Sequence, residues 1–224
     1  MSHATPPPTA LASKHYDQDY FDWQATVGEF GGWANLTKFE RFVRDTDTVL
    51  DFGCGGGFLL KQLKCRRKLG VEPAEVAATA ARSQGIEVFA RADELPDHSV
   101  DLIISNNALE HTFRPLDELK ALFPKLRPGG KIVFVVPCES IRWAYVPKDI
   151  NHHLYSWSPM CAGNLFTEAG FHVLESKAYI HKWPPLHRQI ARWGGRWAFE
   201  HACRIYGRLD RVWFQVRVVA EKPA

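Results

Sequence analysis

VLDFGCGGGF, residues 49–58, is the stretch of sequence that decides the fold. An apolar run enters a glycine-rich turn and continues into a helical pattern. Glycine is required in such a turn because the turn is tight and a β-carbon would hold a ligand away from the backbone amides. Gly53 and Gly55 are the main candidates for this role. Since a glycine-rich run alone is compatible with a nucleotide loop or with a flexible turn, its surroundings must decide.

Two carboxylates flank this turn. Glu72 ends the next predicted strand, 21 positions after Asp51, which is about the separation at which a Rossmann-like unit presents an acid to ribose hydroxyls. The alternative is an exposed acid at a strand end, and the upstream glycines favour ribose binding. Asp51 would repel a pyrophosphate but would attract the ammonium and sulfonium of S-adenosylmethionine. No Gly-Lys-Ser/Thr follows the turn, which excludes a Walker-type phosphate loop.

Composition limits the class of protein. The 224 residues, 46% of them hydrophobic, suffice for one substantial domain. A net charge of +3 without a basic block argues against a nucleic-acid partner. Five cysteines at irregular spacing fit neither a disulfide framework nor a paired zinc motif, which favours a cytoplasmic protein. We expect neither a signal peptide nor a transmembrane segment.

Apolar runs alternate with helical patterns after residue 47, which predicts repeated βα units and a mostly parallel sheet. Strands are predicted at 48–52, 67–72, 87–90, 100–105, 131–136, 171–180 and 212–220, and helices at 57–64, 74–83 and 116–126. Glycines in the aromatic segment before them predict short helices joined by a flexible loop. The predicted organisation is a disordered tail at 1–15, a helical cap or lid at 16–47, and the main domain at 48–224 with a helical insertion at about 184–211.

Three segments together resemble the class I, Rossmann-like methyltransferases that use S-adenosylmethionine, and especially their small-molecule branch. VLDFGCGGG resembles the first motif of that family, Val71-Glu72-Pro73 the second, and ADELPDHSVDLIISNNALEH at 92–111 the third and fourth. The resemblance covers about 48–180. It implies a three-layer αβα fold of the α/β class, in which helices cover both faces of a seven-stranded, mostly parallel sheet. The strand order would be 3-2-1-4-5-7-6, with an antiparallel last strand.

The resemblance also implies a cofactor pocket. Asp51, Gly53, Cys54 and Gly55 would hold the methionine moiety and its ammonium, and Glu72 and Pro73 would hold the ribose. Ala92 and Asp93 would flank the adenine, and Asn106 and Asn107 would lie beside the sulfonium. Many relatives carry an acid at the position of Arg91, so Asp93 is the nearer candidate for the adenine amine. Asn107 is alternatively the cap of the helix that begins at LEH.

Methyl transfer from a sulfonium requires alignment of the nucleophile more than catalytic groups, but a hydroxyl acceptor benefits from a general base. The predicted catalytic residues are His153, His152 and His111, each with a structural alternative. Tyr155, Trp23 and Trp33 are candidates for contact with the acceptor, the tryptophans alternatively being core residues. We predict no metal, since no carboxylate or cysteine has a matching spacing.

The function predicted from sequence is methyl transfer to an oxygen or nitrogen of a small metabolite. One alternative is a protein that binds the cofactor without catalysis and serves a partner. Another is an NAD-dependent oxidoreductase, which Asp51 disfavours. The Arg- and Trp-rich insertion has several interpretations: a solvated packing helix, a grip on an anionic acceptor, a membrane-surface helix or a homodimer face.

Overall fold

The structure is a computed structural model that describes residues 18–147, 149, 151–210 and 213–224. It describes the backbone of 18–27 and of Trp213 but not their side chains. The tail predicted at 1–15 and the side chain of Trp23 therefore lie outside the described residues.

A single seven-stranded sheet forms the centre of the molecule. Its strands are β1 (Thr48–Phe52), β2 (Arg67–Val71), β3 (Glu87–Phe89), β4 (Val100–Asn106), β5 (Leu126–Glu139), β6 (His172–Tyr179) and β7 (Trp213–Glu221). Their order is β3-β2-β1-β4-β5-β7-β6. β1 to β5 pair in parallel, while β7 lies antiparallel to both β5 and β6. The strand order and the antiparallel last strand predicted from the sequence are confirmed.

Six α-helices accompany the sheet in the described part of the chain. They are α1 (Gln18–Phe39), α2 (Phe58–Gln62), α3 (Glu75–Ser83), α4 (Pro115–Leu122), α5 (Pro159–Glu168) and α6 (His187–Leu209). Alternate residues of each central strand face opposite layers, so that in β5 Ile132 and Phe134 belong to one core cluster and Val133 and Val135 to the other. This alternation produces the three-layer arrangement, because each face of the sheet is covered by its own set of helices.

Helix α1 is one continuous helix, and the predicted break at its glycines was wrong. A β-carbon at Gly32 would lie 2.2 Å from the carbonyl oxygen of Phe58, and one at Gly28 would lie 2.5 Å from the Phe58 ring. The glycines therefore permit close approach to the start of α2 and are not a hinge. The glycines that suggested separate short helices do not reveal this contact in the sequence, because it is made with a distant segment.

The residues between the helix predicted at 116–126 and the strand predicted at 131–136 already belong to β5, which starts five residues earlier than expected. The preceding helix ends at Leu122, and a short 3₁₀ turn, Phe123–Lys125, leads directly into the strand. Gly129, with a φ of 73°, lies inside the irregular first part of β5, where the pairing with β4 shifts register. Proline and glycine here mark an irregularity in the ladder and not the end of a helix.

The segment between β6 and β7 contains the long helix α6. α6 contains a kink at Gly195, whose φ of 63° and ψ of −165° are not helical. Around it, Phe199 packs with Phe30 and Trp33 of α1 and with Trp183, which fixes the two helices to each other. In the described part of the chain, no helix combines the length and apolarity needed to cross a membrane.

Candidate active site at the carboxyl edge of the sheet

The glycine turn leaves β1 at the edge of the sheet where parallel strands end. Gly53, Gly55 and Gly57 have φ values of 72°, 51° and 78°, in the left-handed region that favours glycine. A β-carbon at Gly53 would lie 2.3 Å from the β-carbon of Ala108, in the loop after β4. The turn is therefore shaped both by its own backbone and by the close approach of that loop.

The side chain of Cys54 points away from the open side of the turn. It is 8% exposed and lies in a core cluster, where a β-carbon on Gly70 would come within 2.5 Å of its sulfur. The backbone of Cys54 donates a hydrogen bond to the carbonyl of Val71, as does that of Gly53. Only the backbone of this cysteine therefore remains to line a cofactor.

Glu72 follows β2 and contacts the glycine turn directly. One carboxylate oxygen accepts from the amide of Gly55 and the other from the amide of Ala74, each at 2.9 Å. Burial raises the pKa of Glu72, and these two amides oppose that rise. The carboxylate is thus fixed against the loop, with the remaining lone pairs of its oxygens available to a ligand. Pro73, half-buried, lies between Glu72 and Ala74 in the chain.

Asp51 lies beneath the same turn and is only 3% exposed. Burial, and secondarily the negative charge of Glu72, raise the pKa of its carboxyl group well above the ordinary value. A buried acid of this kind favours a cationic ligand, which would restore its ionised form. The glycine turn and these two carboxylates fit the ribose and the ammonium of S-adenosylmethionine, and they do not fit a pyrophosphate.

The predicted adenine side is more open. Ala92 is buried in the core, whereas Asp93 is exposed and pairs with Arg91, whose Nη2 lies 2.5 Å from Asp93 Oδ2. Arg91 stands where many relatives carry an acid, and in this chain it engages the acid two positions later. Asp93 is thus an exposed acid engaged by Arg91, and its part in holding the adenine amine stays a prediction.

Asn106 and Asn107 end β4 and contact groups from distant parts of the chain. Lys38 of α1 donates to Asn106 Oδ1 at 2.8 Å, and Gln215 of β7 donates to Asn107 Oδ1 at 3.0 Å. Asn107 has a φ of 56°, and the short 3₁₀ helix after it begins at Ala108 without a side-chain cap. The alternative role of Asn107 as a helix cap was therefore wrong.

These contacts form one wall of a cavity of about 530 Å³ between α1, the end of β4 and the segment after β6. Two buried side chains in its wall have unpartnered polar atoms: both ring nitrogens of His181, and Oε1 of Gln215. Burial lowers the pKa of Lys38 to about 7, with the charges of Glu110 and Cys203 opposing this shift. Among the residues whose side chains the structure describes, the lining consists of Asn35, Lys38, Asn106, Asn107, Trp143, His181, Lys182, Trp183 and Gln215.

Two of the three predicted histidines come together beside a buried acid. The ring centroids of His111 and His153 are 5.0 Å apart, and the Nε2 atoms of both lie about 4 Å from Glu110 Oε1, at 3.9 and 4.0 Å. Nδ1 of His153 lies 2.5 Å from Glu139 Oε1. Glu110 is fully buried, which raises its pKa to about 8. His152 is exposed and is not in this cluster.

Glu110, His111 and His153 are of the residue types that bind metals, and their candidate ligand atoms lie within 4.8 Å of one another. Sequence spacing did not reveal this group, because the three residues come from two loops that the fold brings together. The prediction that no metal is bound stays a prediction.

Of the predicted acceptor residues, Trp33 and Tyr155 are not among the described residues that line the cavity, and the side chain of Trp23 lies outside the described part of the chain. Trp33 packs in the aromatic cluster with Phe199, their ring centroids being 5.1 Å apart. Tyr155 stacks on Trp157 and donates from its hydroxyl to the carbonyl of Phe113. Trp183, next to Trp33 in the same cluster, lines the cavity instead.

Sequence reasoning missed Lys38, His181 and Gln215. Gln215 gave a signal, since it is a polar residue in a largely apolar strand that pairs with β5 on one side and β6 on the other. Lys38 gave a weaker one, because it directly precedes Phe39 and is four residues from Ala34, both of them buried. Neither signal indicates which other residues will lie opposite the side chain.

Comparisons with known proteins agree with this geometry. A family model described as a methyltransferase domain matches residues 26–176, more than half of the chain. A ubiquinone biosynthesis O-methyltransferase from Idiomarina loihiensis is 31% identical over 171 residues, which cover 67% of each protein. A malonyl-[acyl-carrier protein] O-methyltransferase from Marinomonas sp. is 33% identical over 135 residues, or 55% of this chain and 47% of that protein, so the chain spans about half the length of this relative.

Among solved structures, an S-adenosylmethionine-dependent methyltransferase from Thermotoga maritima, described as a possible histamine N-methyltransferase, has a TM-score of 0.66. It is 18% identical and the alignment covers 94% of this chain and 99% of that one, a likeness that concerns the fold. The family match, the strand order and the glycine turn with its two carboxylates lead to one conclusion. The chain belongs to the methyltransferase domain family, among the class I methyltransferases that use S-adenosylmethionine.

Proposed function

We propose that the protein transfers the methyl group of S-adenosylmethionine to an oxygen of a small metabolite. The observation that carries this proposal is the cavity beside Asn106, which has unpartnered polar groups in its wall and adjoins the loop that touches the glycine turn. Relatives named as O-methyltransferases support oxygen as the acceptor atom. Transfer to a nitrogen is the alternative, and the methylation assay described below distinguishes the two acceptor atoms.

In this proposal the cofactor is held by the residues of the glycine turn and the two strands beside it. The backbone of residues 53–55 lines the methionine moiety, Asp51 faces its ammonium, and Glu72 accepts from the ribose hydroxyls. Ala92 and Asp93 flank the adenine, and Asn106 and Asn107 lie toward the sulfonium. Glu72 supports this arrangement most directly, because it is already oriented by two backbone amides.

The cofactor supplies a methyl group on a positively charged sulfur, which is already an activated leaving group. What remains for the protein is to align the acceptor with that methyl, to exclude water and to receive a proton. Helix α1 and the segment 181–183 contribute to the wall of the cavity, which fits the part of a cap that was predicted for residues 16–47.

We assign His153 the part of a positioning residue. Its ring is fixed by Glu139 at the end of β5, and the next residue, Leu154, donates from its amide to the carbonyl of Glu110. Together these contacts hold the segment after β5 against the loop after β4. His111 lies in the same cluster. A change in this cluster should therefore affect alignment of the acceptor more than binding of the cofactor.

The first experiment is calorimetric titration of the protein with S-adenosylhomocysteine and, separately, with NAD. We expect binding of S-adenosylhomocysteine alone, weakened about 10- to 150-fold in Glu72→Ala, because one charge-assisted hydrogen bond is worth about 1.5–3 kcal/mol. Glu75→Ala, at an exposed acid three positions later that pairs with Arg82, is the matched control. Binding of NAD, or equal affinity in the Glu72 variant, would contradict the proposed cofactor site.

The second experiment supplies radiolabelled S-adenosylmethionine with panels of small hydroxyl and amine compounds. Label transferred to hydroxyl compounds supports the proposal, and label confined to amines would replace it with N-methylation. A protein that binds S-adenosylhomocysteine tightly but methylates neither panel would instead be a cofactor-binding partner protein without catalysis. The predicted homodimer through residues 184–211 stays a separate proposal, which sedimentation of the full chain tests.

A further inference from the structure

The cavity beside Asn106 contains a chemically unusual set of groups. His181 is 6% exposed and Gln215 is 2% exposed, yet three of their polar atoms have no hydrogen-bond partner. A buried polar atom without a partner costs about 1–3 kcal/mol. Such a concentration around one cavity indicates that a ligand with hydrogen-bonding groups completes it. Trp143 and Trp183 add aromatic surface to the same wall, which favours a flat ligand.

Lys38 is the group in this wall that is placed to accept a proton. Its Nζ donates to Asn106 Oδ1 at 2.8 Å, which orients the amine at the end of β4. Lys182, the other lysine of the cavity, pairs with Asp210, and burial lowers the pKa of His181 to about 3, too low for a base near neutral pH. His153 does not line the cavity.

The elements packed against Lys38 present three titratable groups to it, Glu110, Cys203 and His181. Glu110, in the loop after β4, and Cys203 of α6 favour its charged form, whereas burial disfavours it more strongly. His181, after β6, is itself kept neutral by burial and by the charge of Lys38. The result is a pKa of about 7 for Lys38, so that much of the amine is neutral in a slightly alkaline solution.

We propose that this cavity binds a flat acceptor with an acidic hydroxyl group, a phenol or an enol, and that neutral Lys38 takes the proton of that hydroxyl as the methyl group is transferred. An amine acceptor would need no base, since a neutral amine is already a nucleophile. A general base transfers protons most efficiently when its own basicity matches the pH at which the reaction runs. This inference rests on the proposed function and specifies its acceptor.

The step balances as follows. The acceptor O–H bond breaks, its proton moves to Lys38 Nζ, and the oxygen forms a bond to the methyl carbon. The sulfur–methyl bond of S-adenosylmethionine breaks and its electron pair stays on sulfur, giving neutral S-adenosylhomocysteine. Lys38 ends as an ammonium that still donates to Asn106, and it returns its proton to solvent when the product leaves.

The test compares two probes, catechol and the more acidic 4-nitrocatechol, in single-turnover assays with radiolabelled S-adenosylmethionine. In wild type we expect both to be methylated, and the rate with catechol to rise with pH through a midpoint near 7. Lys38→Met and Lys38→Arg should each lose about 10²- to 10⁴-fold of the catechol rate, because neither side chain accepts a proton. The loss should be smaller with 4-nitrocatechol, which ionises without help, and a purely structural defect would slow both probes equally.

Lys125→Met is the matched control, because Lys125 is also buried and pairs with Asp97 away from the cavity. All variants should retain the affinity of wild type for S-adenosylhomocysteine, which separates failure of this inference from failure of the cofactor site. Full activity in Lys38→Arg would make Lys38 a fixed cation for an anionic acceptor and would overturn the inference. Methylation of neither catechol by wild type would overturn the acceptor class. If Lys38→Met does not fold, the pH profile of the wild type and the rate of the Lys38→Arg variant still show whether Lys38 acts as the base.

Discussion

Gly53 and Gly129 provide a matched pair of substitutions. Both have φ values in the left-handed region, 72° and 73°. A left-handed conformation costs a residue with a β-carbon about 1–2 kcal/mol, so each alanine variant should lose that amount. A β-carbon at Gly129 meets nothing within 4 Å, whereas one at Gly53 would lie 2.3 Å from the β-carbon of Ala108. Gly53→Ala must therefore move the loop after β4 as well.

Such overpacking costs typically about 1–3 kcal/mol, so Gly53→Ala should lose roughly 2–5 kcal/mol in total, against roughly 1–2 for Gly129→Ala. Urea unfolding followed by circular dichroism measures both, provided the slope of the transition is unchanged. Gly53→Ala should also weaken binding of S-adenosylhomocysteine, and Gly129→Ala should not. Equal destabilisation of the two variants would refute the claim that contact with Ala108 shapes the glycine turn.

Three further outcomes follow from the titratable groups of the site. Because burial raises the pKa of Asp51, binding of the cofactor's ammonium should release a proton from Asp51, and binding should tighten as the pH rises. Calorimetry in two buffers of different ionisation enthalpy detects the released proton, and equal binding heats in the two buffers would contradict this prediction. Burial raises the pKa of Glu110 to about 8, above its unfolded value, so the folded protein holds an extra proton between the two values and loses stability as pH rises through that window. Glu110→Gln should flatten the dependence of urea midpoints on pH, and a curve parallel to wild type would show that Glu110 does not cause it. His153→Ala should lower kcat severalfold without changing affinity for S-adenosylhomocysteine, while His172→Ala, on exposed β6, should change neither; an unaffected kcat would leave His153 without a part in the reaction.

The sheet could be predicted from the sequence because its signals are local. The central strands β1 and β4 are largely apolar runs bounded by polar or glycine residues, and the bounds predicted for β1 agree with the structure at both ends. The glycine turn and Glu72 were also recognisable, since their roles depend on backbone conformation and on a fixed separation along one βα unit. The order of strands followed from the resemblance to a family and not from the periodicity.

The acceptor side could not be predicted in the same way. Lys38, His181 and Gln215 come from α1, from the segment after β6 and from β7, and they meet only when the sheet is complete. Their chemistry depends on burial, which the sequence of each segment does not reveal. The glycines of α1 show the same limit, because a glycine that permits helix contact and one that ends a helix look alike until the partner, here Phe58, is known.

Helix α1 contacts both the start of α2, which follows the glycine turn, and the acceptor cavity. Its Gly32 rests on the backbone of Phe58, where the glycine turn becomes α2, and six residues later the same helix carries Lys38 into the acceptor cavity. A shift of the glycine turn on cofactor binding would therefore also move helix α1 and, with it, Lys38 in the acceptor cavity. Because such coupling is reciprocal, the factor by which cofactor changes acceptor affinity equals the factor by which acceptor changes cofactor affinity.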